Sequence, residues 1–429
     1  MSMRVLVLDL THGGDILARE YATRGWDTTA VDIYHNSAEA ASRLEREGVR
    51  CLQRSPSESF DLAVIPVHAP VSFLSPARAE QVITHHQAVR DLASFAYPTV
   101  EITGVRGKTS TSQVLSFLLA RDGRKVLSLT SSGLSSVGEE IKVLEDKVSI
   151  APATLLRISR QYRDFDIAVL EVSLGGTGLA NVSVVTGLQE DYPIAARTRR
   201  AYDGKRQMIA LAQDNVVYPE DERGTWGPLV PAGLRSFTFG VEGDLDVAVR
   251  ANGLGESATL YVTASHRIAS IDLRPGYLSV AYAPAFACAL TTMMALGKDP
   301  LRFAETLSSF PGAPGRGEVV KDGKGVWVRE RNPGVSSSSL EYQLKMLVQE
   351  YGCRDIGLLL DPVNRKVCEK LDLCKVSEVC DRFPEVSGRY VLPSGADLAD
   401  RAGFEMIRSM EEVRDRHGTM LWATKEGYL

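Results

Sequence analysis

The sequence predicts an α/β protein of three domains, and three observations lead there. Short aliphatic and β-branched runs alternate with helical lengths along most of the chain, the pattern of parallel strands buried beneath helices. At 429 residues the chain exceeds one ordinary hydrophobic core. The alternation is punctuated at Pro98 and again at the Pro- and Gly-rich stretch PGAPGRGE, Pro311 to Glu318. These breaks set expected domains at 1–97, 98–312 and 313–429.

In the first domain RVLVLDL reads as a strand, Asp15 to Arg24 as a helix, TTAVDIY as a strand ending near Asp32, and Asp61 to Val67 as another buried strand. Together they make an open α/β sheet. A dinucleotide site would need G-x-G-x-x-G after the first strand, and THGGDILA does not supply it, so Asp32 is weak evidence for a ribose contact. His12, Gly13 and Gly14 fall in the first turn, where such a sheet meets its ligand, and are candidate substrate-side residues. The alternative is a tight turn carrying an exposed histidine.

In the second domain TVEITGV, KVLSLT, DIAVLEV and VSVVTGL specify a mostly parallel sheet. From about 235 to 275 the runs SFTFG, DVAVRA and ATLYVTA suggest an antiparallel addition, and an apolar helix from Ser279 to Leu296 closes the domain. In the third, GVWVRE, DIGLLLD, RYVLP and TMLWAT alternate with expected helices at Ser337 to Tyr351, Asn364 to Leu373 and Asp397 to Arg416.

Composition excludes several classes. Hydrophobic residues make up 44% and charged residues 24%, as in globular proteins rather than disordered or fibrous ones. A net charge of -5 offers no basic excess to track a nucleic-acid backbone, so any anion site must be local. No run of eighteen apolar residues predicts a membrane span, and MSMRVLVLDL enters a strand pattern without a charged leader, so a cytoplasmic location is expected. Six cysteines are too sparse for a disulfide scaffold, and the six-residue spacing of Cys368, Cys374 and Cys380 fits reduced thiols better than zinc.

The strongest chemical signal is EITGVRGKTSTS, between a strand and a helix. A glycine-rich turn there presents backbone N–H groups to phosphate, and the helix dipole adds positive potential. Thr103, Gly104, Val105, Arg106, Gly107, Lys108, Thr109 and Ser110 are the candidate ATP-binding residues, with Lys108 on the β and γ phosphates and the Thr109 hydroxyl on Mg²⁺. The longer phosphate-loop pattern fails at Ile102, leaving G-x-x-G-K-T. Glu171, closing the apolar run DIAVLEV, is the candidate second metal ligand; otherwise it is a capping glutamate.

These pieces resemble the Mur ligase superfamily. The likeness rests on ITGVRGKTST, LEVS at Leu170 to Ser173, the basic helix with Lys205, TFG at Thr238 to Gly240, PGRGE at Pro314 to Glu318 and RNPG at Arg331 to Gly334, in the family's order. It implies a Rossmann-like N-terminal domain, a central P-loop ATPase domain and a C-terminal α/β domain. It also implies a reaction in which a substrate carboxylate takes the γ-phosphate and a nucleophile then displaces phosphate. Lys108, Glu171, Lys205 and Arg316 would be catalytic, Lys205 as the family's carbamylated lysine and Arg316 near the γ-phosphate; Asn332 would join the ATP site. The plainer alternatives are an ordinary helix lysine at 205 and a hinge ion pair between Arg316 and Glu318.

Two departures stand out. V-R-E-R-N-P replaces the family's D-Y-A-H-N-P, placing Val328 and Arg331 at its Asp and His, and Tyr282 and its neighbours replace an adenine-contacting asparagine motif. Within the superfamily, VLDLTHGGD, GVRGKTS, RERNPG and DPVNRKVCEKLDL resemble the branch that closes the last carbocyclic ring of a nickel tetrapyrrole. That implies activation of a propionate and attack by a carbon of the same molecule, with no external amine. Independently, ARTRRAYDGKR gathers Arg197, Arg199, Arg200, Lys205 and Arg206 on the phosphate-loop side, suited to a small-molecule polycarboxylate, or else forming a solvated basic face. His12, His85 and His86 are candidates to approach nickel or carboxylates; the default for the latter two is an exposed pair. The rival functions are an amide-forming ligase joining an amino acid to a nucleotide-linked or peptide precursor, and a nucleotide-gated binding protein.

Overall fold

The computed structural model describes residues 2–189, 191–323, 325–332, 334–362, 371–395 and 402–425. The chain forms two compact units: 1–244 with 288–298, and 245–287 with 299–429.

The first unit opens with β1 (Arg4–Leu8), a tight turn at Leu10–Gly14, α1 (Asp15–Thr23), β2 (Asp27–Val31), α2 (Ala38–Arg46), β3 (Arg50–Leu52), β4 (Ser59–Ile65), β5 (Arg78–Thr84) and α3 (His85–Leu92). The five strands pair in parallel in the order β3-β2-β1-β4-β5. A second sheet follows, from β6 (Thr99–Thr103), α4 (Lys108–Arg121), β7 (Val126–Thr130), β8 (Gly133–Val137), β9 (Ile141–Asp146), α5 (Pro152–Gln161), β10 (Ile167–Glu171) and β11 (Val182–Val185). The small ribbon β12 (Pro193–Ile194) and β13 (Arg199–Arg200) leads into α6 (Ala201–Ala210), β14 (Asn215–Pro219), the short α7 (Arg223–Trp226) and β15 (Ser236–Phe239).

Within this unit the second sheet runs β15-β14-β11-β6-β10-β7-β8-β9, parallel up to β7 and antiparallel beyond it. The SFTFG strand therefore belongs to the parallel sheet, as β15 paired to β14, and not to the antiparallel addition expected from its sequence. Four residues of β-branched and aromatic character fit either kind of edge, so periodicity could not decide between them. One apolar cluster runs from Val5, Leu17 and Leu44 through Ala88 and Leu92 to Leu127, Leu155 and Leu170, joining the two sheets of the unit. It fixes the carboxyl ends of β1 and β4 beside the N-terminus of α5, which positions the site described below.

The second unit contains β16 (Leu245–Ala251), β17 (Ala258–Ala264) and β18 (Arg267–Leu273), an antiparallel meander. A 3₁₀ turn at Ser279–Tyr282 precedes α8 (Ala283–Ala295), which carries the chain into the first unit, and α9 (Pro300–Thr306) follows the return. Then come β19 (Glu318–Asp322), β20 (Gly325–Arg331), α10 (Ser337–Gln349), β21 (Ile356–Asp361), α11 (Leu373–Cys380), β22 (Val386–Val391), β23 (Glu405–Met406) and β24 (Thr419–Thr424), with sheet order β19-β20-β24-β21-β22-β23. Leu278 packs into the same core as Val319, Val328, Leu344, Leu358 and Leu421.

Two expected helices fare differently here. The one at Asn364 to Leu373 lies, up to residue 370, outside the described residues, as does Cys368. The described chain instead starts α11 at Leu373, because the Asp372 carboxylate accepts the N–H groups of Cys374 and Lys375 and so caps a new helix there. Of the helix expected from Asp397 to Arg416, residues 397–401 lie outside the described residues, Ala402 is α-helical, and 403–416 are not: Gly403 takes φ +72°, β23 follows, and a single 3₁₀ turn at Met410–Glu412 is capped through Ser409. A left-handed glycine stops a helix whatever the apolar spacing around it. Among the described residues no helix is long and apolar enough to cross a membrane.

Candidate functional site

The turn between β6 and α4 is shaped by two glycines. Gly104 has φ +147°, and a Cβ there would stand 2.0 Å from the Thr186 hydroxyl; Gly107 has φ +78° and occupies the N-cap of α4. Both backbones are closed to other residues without strain. The Val105 N–H donates to Gly187 O at 2.9 Å, so that amide holds the loop to the end of β11, and the Thr186 hydroxyl donates to the Arg106 carbonyl. The Thr103 hydroxyl donates to Val172 O at 3.0 Å beneath the turn, while Ser110 is half-buried in the first turn of α4.

Oxygen atoms converge where α4 begins. The Thr109 hydroxyl donates to Glu171 Oε2 at 2.9 Å and lies 3.1 Å from the Ser131 hydroxyl, and the Ser131 N–H donates to the same carboxylate oxygen at 3.1 Å. Glu171 is buried at the end of β10, where its carboxylate is tolerated because these donors meet it. Three oxygen-bearing groups in this arrangement suit a hard cation such as Mg²⁺. Lys108 Nζ donates to Gly104 O at 3.1 Å, curling over the loop.

Lys205 is 1% exposed, on the inner face of α6. Burial, with the positive charge of Lys108 adding to it, pushes its pKa down to about 7. An amine at that value is neutral in roughly half the molecules at pH 7 and nucleophilic in that form. The rest of the basic cluster does not share this environment. Arg206 is exposed; the Arg200 guanidinium donates to Asp191 and its N–H to Asp203, capping α6; Arg199 lies in β13 paired with Ile194. Arg197 is exposed without a hydrogen bond or ion pair among the described residues. It ends a run of three left-handed residues, Ala195, Ala196 and Arg197, each costing about 1–2 kcal/mol.

A cavity of about 220 Å³ lies beside these groups, lined by His12, His68, His85, His86, Ile150 and Leu174 among others. His85 and His86 are buried, contrary to the exposed pair expected from sequence, because the capping box of Thr84 and Gln87 starts α3 with both rings turned inward. Each donates through Nε2 at 2.9 Å, His85 to Leu8 O and His86 to Ser173 O. Burial lowers both to about pKa 4, and the Lys205 charge adds to the push on His86, so both are neutral near pH 7. Gly13 packs under the start of α5, where a Cβ would lie 2.7 Å from Ala153 Cβ.

Sequence reasoning missed Asp9 and His68. Asp9 is fully buried with φ +74°, and its Oδ2 accepts from His12 Nδ1 at 2.7 Å and from His68 Nε2 at 2.9 Å. Burial opposes the charge, but the two imidazoles hold the Asp9 carboxyl well below the usual carboxylate range, and Asp9 in turn raises His12. An aspartate ending a buried strand, three residues before a histidine, was the available signal.

In the second unit Arg316 lies in the Pro- and Gly-rich turn, where Tyr282 pins the backbone: its hydroxyl donates to Arg316 O at 3.0 Å and accepts from Ala313 N–H at 2.9 Å. Tyr282 is thus a structural anchor of this turn. Glu318 accepts the Gly315 N–H at 3.0 Å. Asn332 is buried, its side-chain amide donating to Glu330 and its oxygen accepting the Gly334 N–H at 2.9 Å. Glu330, in the departed V-R-E-R-N-P motif, is raised by burial and also accepts from Gly317 and Gln343.

No protein-family model matches the chain. Among curated proteins, coenzyme F(430) synthetase of Methanosarcina acetivorans is 30% identical over 416 residues, covering 89% of this chain and 88% of its own length. Coenzyme F(430) synthetase of Methanocaldococcus jannaschii is 22% identical and covers 97% of both chains, and UDP-N-acetylmuramoylalanine–D-glutamate ligase of Cereibacter sphaeroides is 24% identical, covering 94% and 95%. Among solved structures, a MurF ligase from Thermotoga maritima in complex with ADP superposes with a TM-score of 0.59 at 15% identity, covering 92% of this chain and 90% of that one. Folylpolyglutamate synthase of Thermotoga maritima gives 0.55 at 16% identity, covering 77% and 87%. The structural likenesses establish the Mur ligase fold, and with the sequence relatives they support one conclusion. The chain belongs to the Mur ligase superfamily, within which it groups with the coenzyme F(430) synthetases, and it is an ATP-dependent ligase.

Proposed function

We propose that this ligase activates a propionate carboxylate of a nickel tetrapyrrole and closes a carbocyclic ring on it. The carboxylate oxygen attacks the γ-phosphorus of ATP and ADP leaves; a carbon of the same molecule then attacks the acyl carbon, loses its proton, and phosphate departs. The observation that carries the reading is the buried Thr109–Glu171–Ser131 cluster under the glycine turn, with Lys108 and Lys205 beside it. Thr109 and Glu171 would hold Mg²⁺, which supplies charge neutralisation for the phosphates. Lys108 binds the β and γ oxygens, Gly104 and Gly107 let the backbone approach them, and Lys205 serves as the carbamylated lysine. By the family resemblance Arg316 and Asn332 are also assigned to ATP.

The cavity beside these residues has apolar side chains and neutral imidazoles in its lining. Arg197, Arg199 and Arg200 meet peripheral carboxylates, and His12 and Gly13 line the substrate side. Loss of the family's Asp and His at Val328 and Arg331 accords with a reaction that needs no external amine. Intramolecular attack also makes positioning the main catalytic contribution, about 7–11 kcal/mol in well-oriented cases. We place the enzyme in the cytoplasm, with no nucleic-acid or membrane partner.

The test is release of ADP and phosphate with candidate acids. Stoichiometric release with the uncyclised nickel precursor, and a loss of about 10³-fold in kcat for Lys108→Ala, are expected. Turnover that requires an added amino acid would select the amide-forming reading instead, and turnover stimulated by a protein partner without any acid would select the nucleotide-gated one.

A further inference from the structure

We propose that Asp9, His12 and His68 form a binding site for a divalent first-row transition-metal ion, separate from the Mg²⁺ position at Thr109 and Glu171. The three residues come from the carboxyl ends of two adjacent parallel strands: Asp9 and His12 follow β1, and His68 follows β4. Ligands of open α/β sheets gather at that edge. Their ligand atoms all lie within 4.8 Å of one another.

The spacing fits a metal. At about 2.1 Å from an ion, two ligand atoms at right angles stand about 3.0 Å apart. Asp9 Oδ2 is 2.7 Å from His12 Nδ1 and 2.9 Å from His68 Nε2, so small rotations of two side chains present one face of an octahedron. Two imidazoles and one carboxylate on a face select Fe²⁺, Co²⁺, Ni²⁺ or Zn²⁺ over Mg²⁺, which prefers oxygen ligands alone.

The surroundings are those of a supported site. The other oxygen of Asp9 accepts the N–H groups of Thr11 at 3.0 Å and His12 at 3.3 Å, which fixes the carboxylate and leaves Oδ2 to face the histidines. Tyr34 walls it, stacked on His68 at 6.2 Å and edge-on to His12 at 5.7 Å. The Asp9 side chain is completely buried, whereas those of His12 and His68 are 47% and 25% exposed and line the cavity, so an ion here keeps open positions toward it. His86, on the same cavity, has a buried Nδ1 without a hydrogen-bond partner among the described residues, a second acceptor for whatever completes the ion's shell. The inference requires neither ATP nor the tetrapyrrole reading, so it stands or falls separately from the proposed function.

The experiment titrates metal-free protein with Co²⁺ in the presence of excess Mg²⁺ and no nucleotide. The expected result is one Co²⁺ per chain, with visible d–d absorption, release of protons on binding, and at least tenfold weaker affinity in both His12→Ala and His68→Ala. His35→Ala, outside the cluster, should bind as the parent does. Anomalous diffraction from a cobalt-soaked crystal locates the ion directly and does not depend on the variants folding. Absence of stoichiometric Co²⁺ binding by the parent, unchanged affinity in the folded His12→Ala/His68→Ala protein, or an ion located elsewhere would overturn the proposal.

Discussion

Lys205 shows how a single side chain can trade stability for chemistry. Its pKa falls from 10.5 in the unfolded chain to about 7 in the fold, because a buried ammonium has lost its water and faces Lys108. The unfolded chain therefore holds the proton more tightly between those two values. Stability should rise with pH from about 7 to 10.5, and the full penalty applies below 7. At roughly 1.4 kcal/mol per unit, the burden near neutrality is on the order of 4 kcal/mol, reduced by whatever relaxation the site permits. Lys205→Met keeps the aliphatic packing and removes the charge. In CO₂-depleted protein, where Lys205 is the free amine, the substitution should stabilise the fold by about 2–4 kcal/mol in urea unfolding at pH 7, and under turnover conditions it should lower the rate more than a hundredfold. A lower unfolding midpoint would show that Lys205 is not held at the cost of its solvation. The residue itself was legible from its place in a basic helix, but its isolation from Arg206 was not. Adjacent positions on a helix point about 100° apart, and only the packing of α6 decides which one goes inside.

At the scale of the element, α3 carries two histidines that the sequence placed outside. HHQAVRDL has an apolar face at Ala88, Val89 and Leu92, and nothing in that spacing says that the first turn is also covered. Coverage comes from β1 and from the segment after β10, which present Leu8 O and Ser173 O to the rings. Polar burial of this kind is a tertiary fact that periodicity does not encode. It has a measurable consequence. Both rings bind protons near pH 6.5 when unfolded and only near 4 when folded, so acid favours the unfolded chain between those values. Stability should be fully present above pH 6.5, fall by as much as about 3 kcal/mol per histidine on the way to pH 4, and gain no further slope from them below that. His85→Gln and His86→Gln should each flatten the descent between pH 6.5 and 4.5, where carboxylates titrate little. Equal slopes in parent and variants, measured by urea unfolding at several pH values, would mean the rings are reached by solvent.

For the whole molecule, the alternating pattern of strands and helices conveyed the α/β class and the phosphate turn, since each rests on a few adjacent residues. The grouping of segments into units was less legible, because it depends on contacts between distant stretches. The boundary expected at 312 follows a Pro- and Gly-rich turn, yet residues 245–287 and 299–312 cluster with the C-terminal sheet. Leu278 is the clearest case: it is buried in the core of Val319, Val328, Leu344 and Leu421, although it falls within the expected domain 98–312. Tyr277 adds an antiparallel bridge to Glu318, and Leu278 N–H donates to Gly317 O at 2.9 Å. Cutting the chain at 312 removes these partners from the C-terminal piece, and removing one such leucine alone typically costs about 2–5 kcal/mol. Fragment 313–429 should therefore unfold without a sharp transition and bind a dye for exposed apolar surface, while fragment 245–429, which retains Leu278, should be the more protected of the two. The comparison needs only urea titration with fluorescence of Trp327 and Trp422, both present in each fragment. Cooperative unfolding of 313–429 at the midpoint of the longer fragment would show that the turn at 312 is a true boundary and that Leu278 is dispensable to the C-terminal core.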